Sequence, residues 1–234
     1  MPRVSEELKV SEVASRLADV RQRVEAAAAK AGRPGGVLLL AVSKTKPPEA
    51  IREAYAAGQR AFGENYAQEL AAKAEALRDL DGIVWHFIGR LQRNKAKQVA
   101  PVAYAVHTVD RADLAAELGK RAEAAGVSLR VLVEVNVSGE ASKGGCTPAE
   151  VGEVLAAIRA ASSLEAIGLM TIPPDTEDPE DARPFFAALR KLRDEHGGAA
   201  VLPELSMGMT HDFHVAIEEG ATIVRVGTAI FGAR

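Results

Sequence analysis

Two groups of residues, far apart in the chain, have the types that chemistry needs. Lys44 stands in Ser43-Lys44-Thr45, directly after an apolar run. Partial burial and a neighbouring cation such as Arg225 would lower the pKa of its amine and let it attack an aldehyde. Near the other end, Ser206-Met207-Gly208-Met209-Thr210 and Arg225-Val226-Gly227-Thr228 mix small hydroxyl side chains with glycines. Such stretches let backbone N–H groups close on a dianion. Further polar residues punctuate the middle: Gly63-Glu64-Asn65, His86, and Asn136 with Ser138. Each has a plainer reading when taken alone. Lys44 reads equally as a solvated loop lysine, Ser206 and Thr228 as turn residues, and His86 as a core histidine.

The elements must decide whether these residues meet. From Ser5 to Ala31 the apolar residues Val10, Val13, Leu17, Val20, Val24 and Ala27 recur three and four apart. That spacing predicts an amphipathic helix, stopped by Gly32 and Pro34. Beyond it, short aliphatic runs alternate with stretches of helical period, the pattern of βα units on a parallel sheet. Strands are expected at Val37 to Ser43, Arg60 to Gly63, Val84 to Ile88, Ala103 to Thr108, Arg130 to Asn136, Glu165 to Thr171, Glu204 to Met207 and Thr222 to Val226. Helices are expected at Pro48 to Ala57, Tyr66 to Leu80, Lys95 to Ala100, Ala112 to Ala125, Pro148 to Ala161, Pro179 to His196 and Asp212 to Glu219. Thr147-Pro148 with Glu150 has the form of a capping box, with proline at the first helical position.

Eight strands close a barrel, and 234 residues lie near the roughly 250 typical of one. Little chain follows the last strand, so the leading helix is expected to cover its outer face. An open doubly wound sheet is the alternative, but no glycine-rich dinucleotide fingerprint follows the first strand. The fold class read from the sequence is therefore α/β: a single (β/α)8 TIM barrel with an extra N-terminal helix, residues 1–234 forming one domain. In such barrels the chemistry sits at the carboxyl ends of the strands, and the loops after strands seven and eight most often build a phosphate site. A phosphate cradle facing a nucleophilic lysine matches the two ends of pyridoxal 5′-phosphate.

Composition narrows the functional classes. Apolar residues make up 47% of the chain, and 29 basic against 32 acidic side chains leave a net charge of −3. A chain of this kind buries a core and is not a dedicated nucleic-acid binder. Its longest apolar stretch, Val37 to Val42, is too short for a membrane span, and Met1 to Val10 carries charges where a signal peptide needs apolar residues. With the single Cys146 this suits a cytoplasmic protein. His211 and His214 have no evident third ligand, so no metal site is expected.

Five motifs, in order, resemble those of the pyridoxal phosphate homeostasis proteins. They are Ala41-Val42-Ser43-Lys44-Thr45-Lys46-Pro47, Phe62-Gly63-Glu64-Asn65-Tyr66-Ala67-Gln68-Glu69, Trp85-His86-Phe87-Ile88-Gly89, Leu205-Ser206-Met207-Gly208-Met209-Thr210 and Arg225-Val226-Gly227-Thr228-Ala229-Ile230-Phe231-Gly232. The resemblance runs from about Ser5 to Gly232. It implies a barrel like the amino-terminal domain of alanine racemase, with pyridoxal phosphate held as an internal aldimine on Lys44. It implies that Ser206, Gly227 and Thr228, with backbone groups around Gly208, hold the phosphate. Arg225 would face the pyridine nitrogen, Asn65 would lie near the ring, and His86 and Met207 would line the pocket. The function implied is buffering the cofactor and delivering it to apo-forms of pyridoxal-phosphate-dependent enzymes, by a monomer without robust turnover. The rival is an amino-acid racemase-like enzyme, which would need a second acid/base opposite the lysine. One departure from the family pattern is the basic run Arg90-Leu-Gln-Arg-Asn-Lys-Ala-Lys97, expected at the rim of the mouth.

Overall fold

Leu17, Val20, Val24 and Ala28 fall on one stripe of α1 (Glu12–Lys30), and all four are buried. The Ser11 hydroxyl caps this helix by accepting the Ala14 N–H at 3.1 Å. The computed structural model describes residues 11–140 and 142–233, so the part of the expected leading helix from 5 to 10 lies outside the described residues. α1 lies against the last helices of the chain and so covers the barrel seam, as its place in the sequence requires.

After α1 the chain alternates: β1 (Leu38–Val42), α2 (Pro48–Ala56), β2 (Ala61–Glu64), α3 (Ala67–Ala76), β3 (Val84–Phe87), α4 (Ala96–Val99), β4 (Ala105–Val109), α5 (Ala112–Ala124) and β5 (Leu129–Glu134). It continues through α6 (Val151–Arg159), β6 (Leu164–Met170), α7 (Arg183–Glu195), β7 (Glu204–Ser206), α8 (Phe213–Glu218), β8 (Ile223–Val226) and α9 (Thr228–Phe231). The eight strands form a closed parallel barrel in chain order. β1 pairs with β8 to close it, Leu40 opposite Arg225 and Ala41 opposite Val226.

Strand alternation sorts the side chains into two layers. Phe62, Trp85, Phe87, Val106, Leu205, Met207 and Val224 face outward and pack with the helices in the main core. Leu40, Ala61, Ile88 and Ile223, with Val42 against them, form a second, smaller cluster inside the barrel. That small inner cluster leaves room for polar side chains between the strands.

Helix ends differ from the sequence expectation where proline intervenes. The expected Pro179 to His196 helix begins as a 3₁₀ turn over Pro179–Ala182 before α7. Pro184 has no N–H to continue an α-helical ladder from residue 180, so the regular helix restarts at Arg183. Pro148–Glu150 likewise forms a 3₁₀ turn ahead of α6, and the expected capping box between Thr147 and Glu150 is present. No helix among the described residues is long and apolar enough to cross a membrane.

Candidate functional site

The residues carrying the chemistry leave the carboxyl ends of β1, β7 and β8. Lys44 continues the inward face of β1, two residues beyond Val42. It is half-buried and makes no hydrogen bond or ion pair with another described residue. The loop that carries it is held from outside the barrel. Ser43 Oγ donates to Glu64 Oε1 at 2.6 Å, and Lys73 Nζ donates to the Ser43 carbonyl at 2.8 Å, to Glu64 Oε1 at 2.8 Å and to Glu69 Oε2 at 2.9 Å. Glu69 Oε2 also accepts the Thr45 N–H at 2.8 Å. Thr45 has φ +62°, a left-handed conformation uncommon for a residue with a Cβ, and this charge-assisted bond helps to hold it there. Burial keeps the Glu64 carboxyl above the usual range, against the pull of Lys73 and Ser43.

Across the β1–β8 seam, Lys44 shares a cleft of about 70 Å³ with Val42, Thr45, Lys46, Gly227, Thr228 and Gly232. A Cβ on Gly227 would stand 3.1 Å from the Val42 carbonyl, so glycine lets the two strand ends approach closely. The N–H groups of Gly227, Thr228 and Ala229 find no acceptor among the described residues. One wall thus presents an amine and the other a row of unpaired donors, and among the described residues no carboxylate lines the cleft. That combination suits a small aldehyde that carries an anionic group.

Arg225 lies beneath, 4% exposed. Its Nη1 donates to Ser206 Oγ at 2.8 Å and its Nη2 to the Thr171 carbonyl at 2.9 Å. Burial lowers its pKa to about 10, while Asp212 and Glu134 oppose the shift. It therefore remains a cation at neutral pH. Glu134, at the inner end of β5, is pushed up to about 7 by burial and by Asp110, with Arg225 and Arg90 pulling the other way.

The sequence-derived site is only partly gathered. Lys44, Gly227 and Thr228 meet in one cleft, and Ser206 and Arg225 are bonded to each other inside the barrel. Gly208 has φ +90°, where a Cβ would come within 2.6 Å of that of Ala216, and its carbonyl accepts the Arg225 N–H at 3.0 Å. Met207 was expected to line the pocket, but it follows inward-facing Ser206 on the strand and so points outward into the sheet–helix core. His86 was expected there too; instead its ring lies in the lower half of the barrel and lines a cleft at the opposite end. Asn65 lines a neighbouring cleft with Arg90 and Lys95, and its Oδ1 is buried without a partner among the described residues. Cys146 is buried and its thiol is pushed up to about 12, mainly by burial, which leaves it inert at neutral pH.

Sequence reasoning named Glu64 among the polar residues after the second strand without giving it a role, and passed over Glu69, Lys73, His107 and Glu134. Glu64 and Glu69 lie inside a quoted motif, and the four-residue spacing of Glu69 and Lys73 on one helix was the available signal for their contact.

The alanine racemase N-terminal domain family model matches residues 15–234. The pyridoxal phosphate homeostasis protein of Aquifex aeolicus is 50% identical over 222 residues, covering 94% of this chain and 97% of that protein. Its counterpart in Pseudomonas aeruginosa is 48% identical over 227 residues, covering 96% and 97%. The solved structure of PipY from Synechococcus elongatus with PLP bound superposes with a TM-score of 0.83 at 38% identity, covering 94% of this chain and all of PipY. Matched along nearly its whole length at these identities, the chain belongs to the pyridoxal phosphate homeostasis protein family, built on the alanine racemase N-terminal domain.

Proposed function

We propose that this chain binds pyridoxal 5′-phosphate at the barrel mouth, buffers it, and delivers it to apo-forms of pyridoxal-phosphate-dependent enzymes. The observation that carries the reading is the small cleft in which the unpaired Lys44 faces the free N–H groups at Gly227 and Thr228. The names of the relatives and the PLP bound to PipY support it. The cofactor supplies an aldehyde at one end and a phosphate dianion at the other. Lys44 offers the amine for the first. Gly227, Thr228 and Ala229 offer backbone donors for the second, joined by the Thr228 hydroxyl and by Ser206, whose O–H now serves His107. Arg225, held by Ser206 and Thr171, would face the ring nitrogen.

Residues 1–234 act as one barrel domain, working as a monomer in the cytoplasm and without robust turnover. Racemisation needs a second acid/base near the amine. Among the described residues, the cleft around Lys44 contains no tyrosine, histidine or carboxylate, and Lys46 is tied to the Gly232 and Ala233 carbonyls at 3.0 and 2.9 Å.

The test is borohydride treatment of cofactor-loaded protein followed by peptide mass mapping. The label is expected on Lys44, with Lys44→Ala abolishing both the label and the visible absorption band. A label chiefly on Lys46 or Lys143 refutes the assignment. Steady formation of D-alanine from L-alanine, lost in Lys44→Ala, refutes the non-catalytic part.

A further inference from the structure

The barrel has a second recess, at its amino-terminal end. The first residues of β1, β2 and β3 and the middle of α1 enclose a cleft of about 630 Å³, within the range of small-molecule sites. Val24, Leu38, Leu39, Ala61 and Val84 give it an apolar wall. Its polar groups are of two kinds.

The first kind is a buried donor. Inside the barrel a chain of contacts runs downward: Arg225 Nη1 to Ser206 Oγ at 2.8 Å, Ser206 Oγ to His107 Nδ1 at 2.9 Å, and His107 Nε2 to His86 Nδ1 at 2.9 Å. A guanidinium only donates, so Ser206 Oγ accepts from Arg225. The Ser206 O–H then has one acceptor within reach among the described residues, His107 Nδ1. His107 consequently carries its proton on Nε2 and gives it to His86 Nδ1, which places the His86 proton on Nε2. The reverse order would strand the Ser206 proton. Burial favours the neutral rings this argument requires, lowering His86 to about 4 and His107 well below its usual value. His86 lines the cleft, and its Nε2 is buried with no hydrogen-bond partner among the described residues. A buried unpaired donor is costly and calls for an acceptor.

The second kind is a pair of arginines. Arg21 donates to the Ala57 carbonyl and to Gln59 Oε1 at 2.7 and 3.0 Å, and Arg60 donates to the Tyr55 and Gln59 carbonyls, each at 2.9 Å. Neither has an acidic partner within salt-bridge distance among the described residues. Glu25 shares the wall but binds the Gly35 N–H instead. The Arg21 guanidinium is held below its usual value by burial and then by the charge of Arg60. Two like charges beside an apolar wall favour an anion.

We propose that this cleft is a ligand site for a small aromatic carboxylate that carries a second acceptor, such as a pyridinecarboxylate. The carboxylate is taken by Arg21 and Arg60, the ring by the apolar wall beside Tyr104, and the ring acceptor by His86 Nε2–H. The cleft shares no lining residue with the mouth, and the proton order assigned to His86 holds while the Ser206 O–H is given to His107.

The experiment is an NMR titration of the full chain, carrying ¹⁵N-labelled histidine and backbone, with nicotinate, nicotinamide and benzoate. Nicotinate is expected to saturate with a Kd of about 1 mM or tighter, shifting His86 Nε2 and the amides at the starts of β1 to β3. Nicotinamide, which lacks the charge, and benzoate, which lacks the acceptor, should each bind about tenfold more weakly. Arg60→Gln, at an exposed position, should weaken nicotinate about tenfold, and His86→Gln should erase the preference over benzoate. Equal binding of nicotinate and nicotinamide, shifts centred on Lys44 and Gly227, the absence of saturable binding, or a His86 proton found on Nδ1 would each overturn the proposal. The titration uses cofactor-free protein, in which the Ser206 O–H is given to His107, and cofactor loading on Lys44 is scored separately.

Discussion

Inside one barrel, the two halves handle buried polarity in opposite ways. Toward the carboxyl end, Arg225 remains charged although almost fully buried, because its guanidinium starts at 12.5, burial lowers it only to about 10, and Asp212 and Glu134 oppose the shift. Toward the amino end, His86 and His107 hydrogen-bond among the described residues only to each other and to Ser206, and burial keeps both rings neutral. Burial lowers both kinds of group by a similar amount; the guanidinium starts far enough above neutrality to keep its proton, and the imidazoles do not. The mouth thus keeps a buried cation, whereas the lower half transmits hydrogen bonds between neutral groups. Four perturbations separate these two behaviours.

The largest effect is expected from Lys73→Met. It leaves the fully buried Glu64 carboxylate without its cation and removes one of the bonds that hold the Lys44 loop. Breaking a buried pair from one side costs about 3–5 kcal/mol. Urea unfolding should show that loss, with cofactor retention impaired and the histidine resonances of the lower half unchanged. A loss below about 1 kcal/mol would mean that Glu64 is neutral in the folded protein and that the pair is a hydrogen bond.

Glu134→Gln should come next, and its effect depends on pH. The carboxyl is raised from an ordinary 4.5 to about 7 in the folded state, chiefly by burial. Between those values the folded chain holds a proton that the unfolded chain releases, so the contribution of Glu134 to stability falls as pH rises through this window. Below about 4.5 it is protonated in both states and costs nothing; above about 7 the full penalty, about 3 kcal/mol, applies. The variant should therefore gain on the parent protein as pH rises from 4.5 to 7. His86 works in the other direction, its neutral form losing stability as pH falls from 6.5 toward 4, but it is present in both proteins and cancels in the difference. A flat difference curve would place Glu134 in contact with solvent.

The barrel was legible in the sequence because each βα unit announces itself twice, by an aliphatic run and by a helical period, and eight such units have one closed solution. That Lys44, Gly227 and Thr228 meet was legible because strands one and eight must be neighbours in a closed barrel, which brings their carboxyl ends together. What could not be read was the inner layer. His86 and His107 look like ordinary members of apolar strands, and only the register between β3 and β4, His86 opposite Ala105, brings their rings together. Met207 failed for a related reason: a motif names neighbouring residues together, yet a strand sends neighbours to opposite faces. The Ser43–Glu64–Lys73–Glu69 cluster joins three elements, and only its Glu69–Lys73 pair, four apart on α3, has a signature within one of them.

Ser206→Ala tests the one residue shared by the two halves, and Thr228→Ala tests the mouth alone. Both should weaken retention of pyridoxal phosphate by about 1.5–3 kcal/mol, with less effect on pyridoxal, since the bonds lost are to the charged phosphate. Only Ser206→Ala should also shift the ¹⁵N resonances of His107, because it removes the acceptor of Arg225 Nη1 and the partner of His107 Nδ1 together. Equal losses for both ligands would move the phosphate to other donors.

The smallest effect is expected outside the barrel, at the basic run after β3. Arg90 is exposed yet close enough to the mouth to act on Glu134, Lys95 lines the cleft beside Asn65, and Arg93 is drawn off toward Asp113 at 3.4 Å. These charges act through solvent, where Coulomb terms are weak at contact distance but still bias the approach of a charged partner. Replacing Arg90, Arg93, Lys95 and Lys97 with glutamine should slow cofactor delivery to an acidic apo-enzyme a few-fold at low salt and have no effect at high salt. Equilibrium retention of the cofactor should not change, because none of the four lines the Lys44 cleft. Delivery at the same rate at every salt concentration would reduce the run to a solvated face, and a loss of retention would extend the cofactor site across β3 to the Asn65 side of the mouth.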